Sequence, residues 1–156
     1  MVSNTIWQEP NIEQHVTLLV ESYERICKKA FPIPLTSTSL AFDVYHTTDF
    51  TVVSHGLEKD PIFNFANLAA QKLWKMDWNE FTSLPSRYSA KADKVEKREA
   101  LLQEALTKGY IDNYEGIRID KTGKEFSIAG VTLWSLIDKK GITHGQAALF
   151  GAWEYL

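Results

Sequence analysis

Residues 51–74 carry side chains that a catalytic site would require. His55 could act as a general base, Ser54 could supply a hydroxyl nucleophile, and Asp60 could orient the imidazole ring. However, the run FTVVSH that ends at His55 is rich in β-branched residues and predicts a strand. Neighbouring side chains of a strand point to opposite faces of the sheet, so Ser54 and His55 are not expected to form a dyad.

A structural role explains the same segment without catalysis. His55 would end the first strand, Gly56 would adopt a positive φ, and Asp60 with Pro61 would shape the turn into the short strand IFNF. We therefore expect a protein that is not an enzyme. A small-molecule enzyme centred on His55, Asp60 and Arg87 is kept as an alternative.

Metal-binding residues are not grouped in this sequence. The four histidines, His15, His46, His55 and His144, fall in four different predicted elements, and no two are spaced i, i+4. The single cysteine, Cys27, cannot form an internal disulfide. The sequence thus predicts no metal site, and the cysteine usage fits a reducing, cytoplasmic setting.

Length and charge limit the classes of partner. A chain of 156 residues is long enough for one well-buried core, so we expect a single domain over residues 1–156. A net charge of −3 and a pI near 5.8 do not favour direct nucleic-acid binding. The chain contains neither a signal-peptide pattern nor a long apolar run, so we expect no membrane partner.

An amphipathic helix is predicted over residues 11–31. Asn11 would cap it, and Pro32 and Pro34 would prevent its continuation. Its apolar positions recur at intervals of three and four: Ile12, Val16, Leu19, Val20, Tyr23, Ile26, Cys27 and Ala30. This stripe could pack on its own domain or form the seam of a homodimer.

A core of mixed helices and strands is predicted over residues 50–153. Asn67 would cap a helix, and a second helix from Asp93 to Lys108 would end at Gly109. The charged residues of that second helix, Lys94, Lys97, Arg98 and Glu104, are expected to be solvated. Three extended runs separated by DKTGK and DKKG predict an antiparallel meander with a bulge at Gly130, and hence an α+β fold.

Several segments of the chain resemble known families. The run FANLAAQKLWKMDWNEF is similar to the PAS motif at Asn67, Ala69, Leu73, Glu80 and Phe81. More closely, the segments VSHGLEKDPIFNFANLAAQKLW, FTSLPSR, GYIDNYEGIRI and HGQAALF resemble the MEKHLA domain family in its stand-alone bacterial or cyanobacterial form. The resemblance implies a PAS-like five-stranded antiparallel sheet with helices on one face, plus the N-terminal helix. It also implies sensing or regulatory contacts rather than chemistry.

The resemblance also bears on cofactors, although it does not name one. Flavin-binding relatives carry a cysteine where Ser86 stands here, so a flavin–cysteine adduct is disfavoured. Haem-binding relatives use a histidine on the long helix before the meander, and residues 93–108 contain none. The cofactor is therefore left open.

A small-molecule cavity is expected between the sheet and the middle helices. Along one strand Tyr114, Gly116 and Arg118 share a face, and along another His144, Gln146 and Phe150 do. The predicted ligand-binding residues are His55, Asn64, Arg87, Tyr114, Arg118, Trp134 and Gln146. Ile117 and Ile119, on the other face of the strand, are expected in the core, and the tryptophans are most simply structural anchors. In the alternative, the polar residues, Arg118 above all, lie on an exposed sheet face under the N-terminal helix.

The function predicted from these observations is that of a non-enzymatic sensory or regulatory module. It would bind a small metabolite between sheet and helices, or signal through contact with a regulatory protein or as a homodimer. The alternative is a ligand-free homodimerisation or interaction module.

Overall fold

The computed structural model describes residues 5–90 and 95–156, with the side chain of Val95 excepted. The helices are α1 (Pro10–Cys27), α2 (Leu40–His46), α3 (Leu68–Trp74), α4 (Trp78–Phe81) and α5 (Val95–Lys108), with 3-10 turns at Ile6–Gln8 and Ser86–Ser89. The strands are β1 (Thr51–His55), β2 (Phe63–Ala66), β3 (Tyr110–Ile119), β4 (Glu125–Ile137), β5 (Thr143–Phe150) and β6 (Ala152–Tyr155).

One antiparallel sheet organises the molecule. Its strand order is β2-β1-β5-β4-β3, and β6 pairs with the first half of β4 beyond the end of β5. Because β5 and β6 follow one another on the same side of β4, with Gly151 between them, they together occupy one of five positions in the sheet. The predicted α+β fold with an antiparallel meander is confirmed.

Helix α1 packs on one face of this sheet. Its buried positions include Val16, Leu19 and Tyr23, which contact a core formed with Trp134 and Leu136 of β4. The predicted stripe therefore packs on its own sheet. The predicted bounds were wrong at both ends: Pro10 takes the first helical position after Glu9, so Asn11 is not the cap, and Lys28 adopts a left-handed conformation that ends the helix.

Helix α2 lies in the segment that joins α1 to β1. Ser39 begins it by accepting a hydrogen bond from the backbone N–H of Phe42 at 3.1 Å. Ala41, Val44 and Tyr45 are buried in the same core as α1. Three buried side chains within seven residues compensate for a helix too short to be stable alone.

The other face of the sheet is covered by α3, α4 and α5. Asn67 caps α3 as predicted, because its Oδ1 accepts from the N–H of Ala70 at 3.1 Å. The same Oδ1 accepts from Val52 of β1, and its Nδ2 donates to the carbonyls of Val44 and Phe50. One fully buried amide thus joins α2, β1 and α3.

Two glycines fix the local geometry around the core that the sheet forms with α3, α4 and α5, which includes Trp74, Phe81 and Phe126. Gly109 ends α5 with φ of +95°, as predicted. Gly130 has φ of +63° and forms a bulge within β4. The bulge shifts the alternation of side chains by one residue, so Phe126 before it and Leu133 after it face the same core. By contrast, Gly56 is not among the positive-φ residues; its N–H closes the β1–β2 hairpin by donating to Ile62.

Candidate functional site

A small, mostly buried cavity lies between the sheet and α5. Its volume is about 40 Å³, which is room for a few water molecules, since one needs about 10–15 Å³. Most of its wall is apolar, with Phe63, Trp74, Ile128, Val131 and Leu133 among the lining residues. The polar side chains in this apolar wall therefore decide what the cavity can bind.

His55 lines this cavity from the end of β1. Its Nδ1 donates to the carbonyl of Gly56 at 3.0 Å, which leaves Nε2 as an acceptor. The residue is only 7% exposed, and Nε2 has no hydrogen-bond partner among the described residues. Burial lowers the pKa of His55, partly opposed by the hydrogen bond to Gly56, so the ring is neutral near pH 7.

Arg118 lines the cavity from β3 and is also only 7% exposed. Its Nη1 donates to the carbonyl of Ile117 at 3.0 Å and its Nη2 donates to the hydroxyl of Tyr114 at 3.3 Å. The alternative that placed Arg118 on an exposed sheet face was wrong. Packing of α5 on β3 covers the face of Arg118, whereas Ile117 and Ile119, which were expected in the core, are half-buried.

Arg98 lines the cavity from α5, and the expectation that it would be solvated was wrong. It lies four residues before Leu102 and seven before the buried Ala105, so it shares their sheet-facing side of the helix. The residue is 7% exposed, and no residue within 5–90 or 95–156 accepts a hydrogen bond from its guanidinium. Burial, with a further effect from Arg118, lowers the pKa of Arg98 to about 10.

The cavity carries an excess of positive charge. Its described lining includes Arg98 and Arg118 but no aspartate or glutamate. The carboxylate nearest along α5, Glu99, is exposed and lines an outer groove instead. A charged group that loses its water without an opposite charge is costly, so the cavity favours a negatively charged occupant.

Gln146 connects this cavity to the helix that covers it. Its Nε2 donates to the carbonyl of Leu102 at 2.7 Å, and nearby Ser135 donates to the carbonyl of Ala105 at 3.4 Å. Both acceptors belong to α5 and both donors belong to the sheet. A shift of α5 would therefore disturb β4 and β5 directly.

An outer groove of about 330 Å³ adjoins the cavity. Four residues line both spaces: His55, Arg98, Leu102 and Gln146. Arg87 also lines the groove, where its Nε pairs with Asp60 at 3.0 Å.

The other predicted site residues lie elsewhere. Trp134 is on the opposite face, where its Nε1–H donates to the carbonyl of Leu19 at 3.2 Å. Asn64 also faces away and accepts from the hydroxyl of Ser54 at 2.5 Å. His144, which was expected on the same strand face as Gln146 but was not a predicted ligand-binding residue, is exposed and contacts Asp138. The structure therefore brings together four of the seven predicted residues, His55, Tyr114, Arg118 and Gln146.

The geometry does not assemble a catalytic dyad at His55. Ser54 faces α1 on the other side of the sheet, where its Oγ is 2.8 Å from Nε2 of His15. Asp60, the predicted orienting carboxylate, pairs with Arg87 at the surface. Within the described ranges no three His, Cys, Asp or Glu side chains converge as metal ligands, and no helix there could cross a membrane.

Comparison with known families decides where the chain belongs. The model of the MEKHLA domain matches residues 13–155, almost the whole chain. This chain belongs to the MEKHLA family. A search of curated proteins found no match to this MEKHLA domain.

Solved structures place the MEKHLA domain among PAS and LOV folds. A PAS domain from Colwellia psychrerythraea has a TM-score of 0.63 at 12% identity, over 74% of this chain and 92% of that one. A fungal LOV domain photoreceptor has a TM-score of 0.59 at 16% identity, over 98% of both chains. The latter match extends over α1 as well as the core. At these identities the likeness establishes the fold alone.

The residues of the cavity do not fit the flavin–cysteine chemistry of a light sensor. The one cysteine of the sequence, Cys27, is buried in α1 on the opposite face of the sheet. Ser86, which stands where such relatives carry the thiol, is buried and donates its backbone N–H to Pro61. A tricyclic ring system would also exceed the present space for a few water molecules.

Proposed function

We propose that this MEKHLA domain is a sensory module that binds a small molecule between its sheet and α5. The observation that supports this is a cavity lined by Nε2 of His55, which is buried without a hydrogen-bond partner among the described residues, and by Arg98, which is 7% exposed and meets no carboxylate in the described lining. Buried polar groups are normally hydrogen-bonded, so a bound molecule would account for both. The MEKHLA match and the PAS and LOV folds of the similar structures agree with this role.

A bound molecule would act by shifting the population of two packing arrangements. Strand β4 presents Leu133 to the cavity and the adjacent Trp134 to α1. Strand β1 likewise presents His55 to the cavity and Ser54 to α1. A ligand that moves α5 against these strands would therefore change the docking of α1, where a regulatory protein could detect it.

A thermal-shift screen of this chain tests the proposal. Amino acids, sugars, nucleosides and organic acids are added separately to the wild type and to Ala148→Leu. This substitution places a larger side chain in the cavity wall and so reduces the cavity volume. The control is Ala152→Leu, an exposed position on β6. We expect at least one compound to stabilise the wild type and the control but not Ala148→Leu. A panel without such a compound would count against ligand sensing.

A ligand-free homodimerisation or interaction module is the second candidate. The small volume of the cavity, about 40 Å³, favours it. Native mass spectrometry of freshly purified protein separates the two, because it detects both a retained small molecule and a dimer. An enzyme centred on His55 is the remaining alternative; turnover that His55→Gln abolishes would support it.

A further inference from the structure

We infer that the ligand is a small oxyanion carrying a hydrogen-bond donor, held by Arg98 and Arg118 with its donor on Nε2 of His55. This inference rests on the proposed ligand-sensing function and specifies the chemistry of the ligand. The inference follows from the side chains that line the cavity.

The cavity carries two positive charges that no carboxylate in its described lining balances. Arg98 and Arg118 are each 7% exposed, and the described cavity lining contains no carboxylate. Two guanidinium groups remain protonated at pH 7 even when burial disfavours their charge. An anion between them would replace the lost hydration of both, which a neutral ligand could not do.

The second step is the hydrogen-bonding capacity of the two arginines. Arg118 is oriented by its bonds to the Ile117 carbonyl and the Tyr114 hydroxyl. Arg98 makes no hydrogen bond to any residue in the described ranges, so its planar fork of donors is available. Such a fork matches the paired oxygens of a carboxylate or a phosphate.

The third step is the acceptor on His55. Because Nδ1–H is engaged with the carbonyl of Gly56, Nε2 presents a lone pair. A bare carboxylate oxygen next to this lone pair would be repelled. A hydroxyl, an ammonium group or a protonated phosphate oxygen would instead donate to it.

The fourth step is size. The present volume, about 40 Å³, admits a molecule of only a few non-hydrogen atoms. Short hydroxy acids and inorganic phosphate both meet this limit and both combine an anion with a donor. A longer ligand would have to extend past His55 and Arg98 into the outer groove.

Isothermal titration calorimetry at pH 7 tests the inference with four probes. Glycolate carries both an anion and a hydroxyl, acetate lacks the hydroxyl, glycolamide lacks the charge, and inorganic phosphate represents the other source of the same chemistry. We expect glycolate or phosphate to bind about tenfold or more tightly than acetate and glycolamide. Which of the two binds identifies the source.

Variants connect the binding to the named residues. Arg98→Gln and Arg118→Gln should each weaken the binding about tenfold or more, and His55→Phe should remove the preference for glycolate over acetate. Arg87→Gln is the matched control, because Arg87 lines only the outer groove and is paired with Asp60. Circular dichroism establishes that each variant is folded, and Arg98→Lys, which keeps the charge, should retain part of the affinity.

The possible failures are distinguishable. Equal binding of glycolamide and glycolate, or undiminished binding by Arg98→Gln, would overturn the anion site while leaving ligand sensing intact. Equal binding of acetate and glycolate would overturn the role of His55. A neutral compound from the thermal-shift panel that Ala148→Leu blocks would refute the anion but support the sensor. If neither the panel nor the four probes bind, both proposals are wrong.

Discussion

His15 on α1 and Ser54 on β1 are joined by a hydrogen bond of 2.8 Å on the face of the sheet opposite the cavity. Since the hydroxyl of Ser54 donates to Oδ1 of Asn64, it must accept from Nε2–H of His15. Burial, with a smaller effect from His144, lowers the pKa of His15 to about 4, so the ring is neutral near pH 7.

Stability should fall as the pH is lowered from 6.5 to 4. In this range an unfolded chain protonates His15, whose ordinary pKa is 6.5, whereas the folded protein does not. The unfolded state therefore binds more protons, and the loss attributable to His15 is roughly 3 kcal/mol by pH 4. Burial of His55 acts in the same direction.

The measurement is urea unfolding of the wild type and His15→Gln at several pH values. Glutamine keeps a donor for Ser54 but does not titrate, so the difference between the two proteins isolates His15. The two stability curves should converge as the pH falls. Parallel curves across this range would contradict the assignment.

Ser22→Ala should loosen α1 from the end of β4. The hydroxyl of Ser22 donates to the carbonyl of Ile137 and accepts from its N–H, both at 2.8 Å. Losing both should cost about 1–3 kcal/mol of unfolding free energy, because buried backbone groups are left with fewer partners. Urea unfolding measures this cost. Glu21→Ala, at an exposed position of the same helix, should change stability by less than about 0.5 kcal/mol.

Asn67→Ala should be among the most damaging single substitutions. It removes three buried hydrogen bonds, to Val52, Ala70 and Val44, and a partly buried one to Phe50. The expected loss is at least about 3 kcal/mol, seen as a large fall in the urea midpoint. Asn67→Asp should not rescue it, because a carboxylate cannot donate to the Val44 and Phe50 carbonyls. Wild-type stability in that variant would refute the bonding assignment.

Arg98→Met should leave the ligand-free protein at least as stable as the wild type. The substitution removes a buried charge that has no opposite charge in the described cavity lining and keeps an unbranched apolar side chain. Differential scanning calorimetry of dialysed protein measures the change in Tm. A fall in stability of more than about 2 kcal/mol would mean that Arg98 has an important native partner.

Regular patterns made most of the fold predictable, whereas the site depended on how elements cover one another. The α1 stripe, the Asn67 cap and the two glycine turns of the meander are local signals, and each appeared as expected. Arg98 did not, because a charged residue on a helix is usually solvated. Its spacing from Leu102 and Ala105 was the available signal.

The other site residues could be predicted only as far as strand alternation allows. Tyr114 and Arg118 could be assigned to one face by alternation along β3, but only the packing of α5 decides that this face is buried. Trp134 was misplaced because the bulge at Gly130 shifts the alternation of side chains along β4. Alternation alone does not show which residues after the bulge face the cavity.

The bulge at Gly130 decides which side chains of β4 face the cavity and which face α1. This assignment depends on the number of residues in β4 rather than on their side-chain chemistry. Residues after the bulge in β4 are out of phase with those before it. Removing this single residue, with every other side chain retained, would turn Trp134 into the cavity and Leu133 toward α1. Insertions and deletions in β4 are therefore constrained more tightly than substitutions, and a variant of the family that lacks this residue would need a different set of cavity residues.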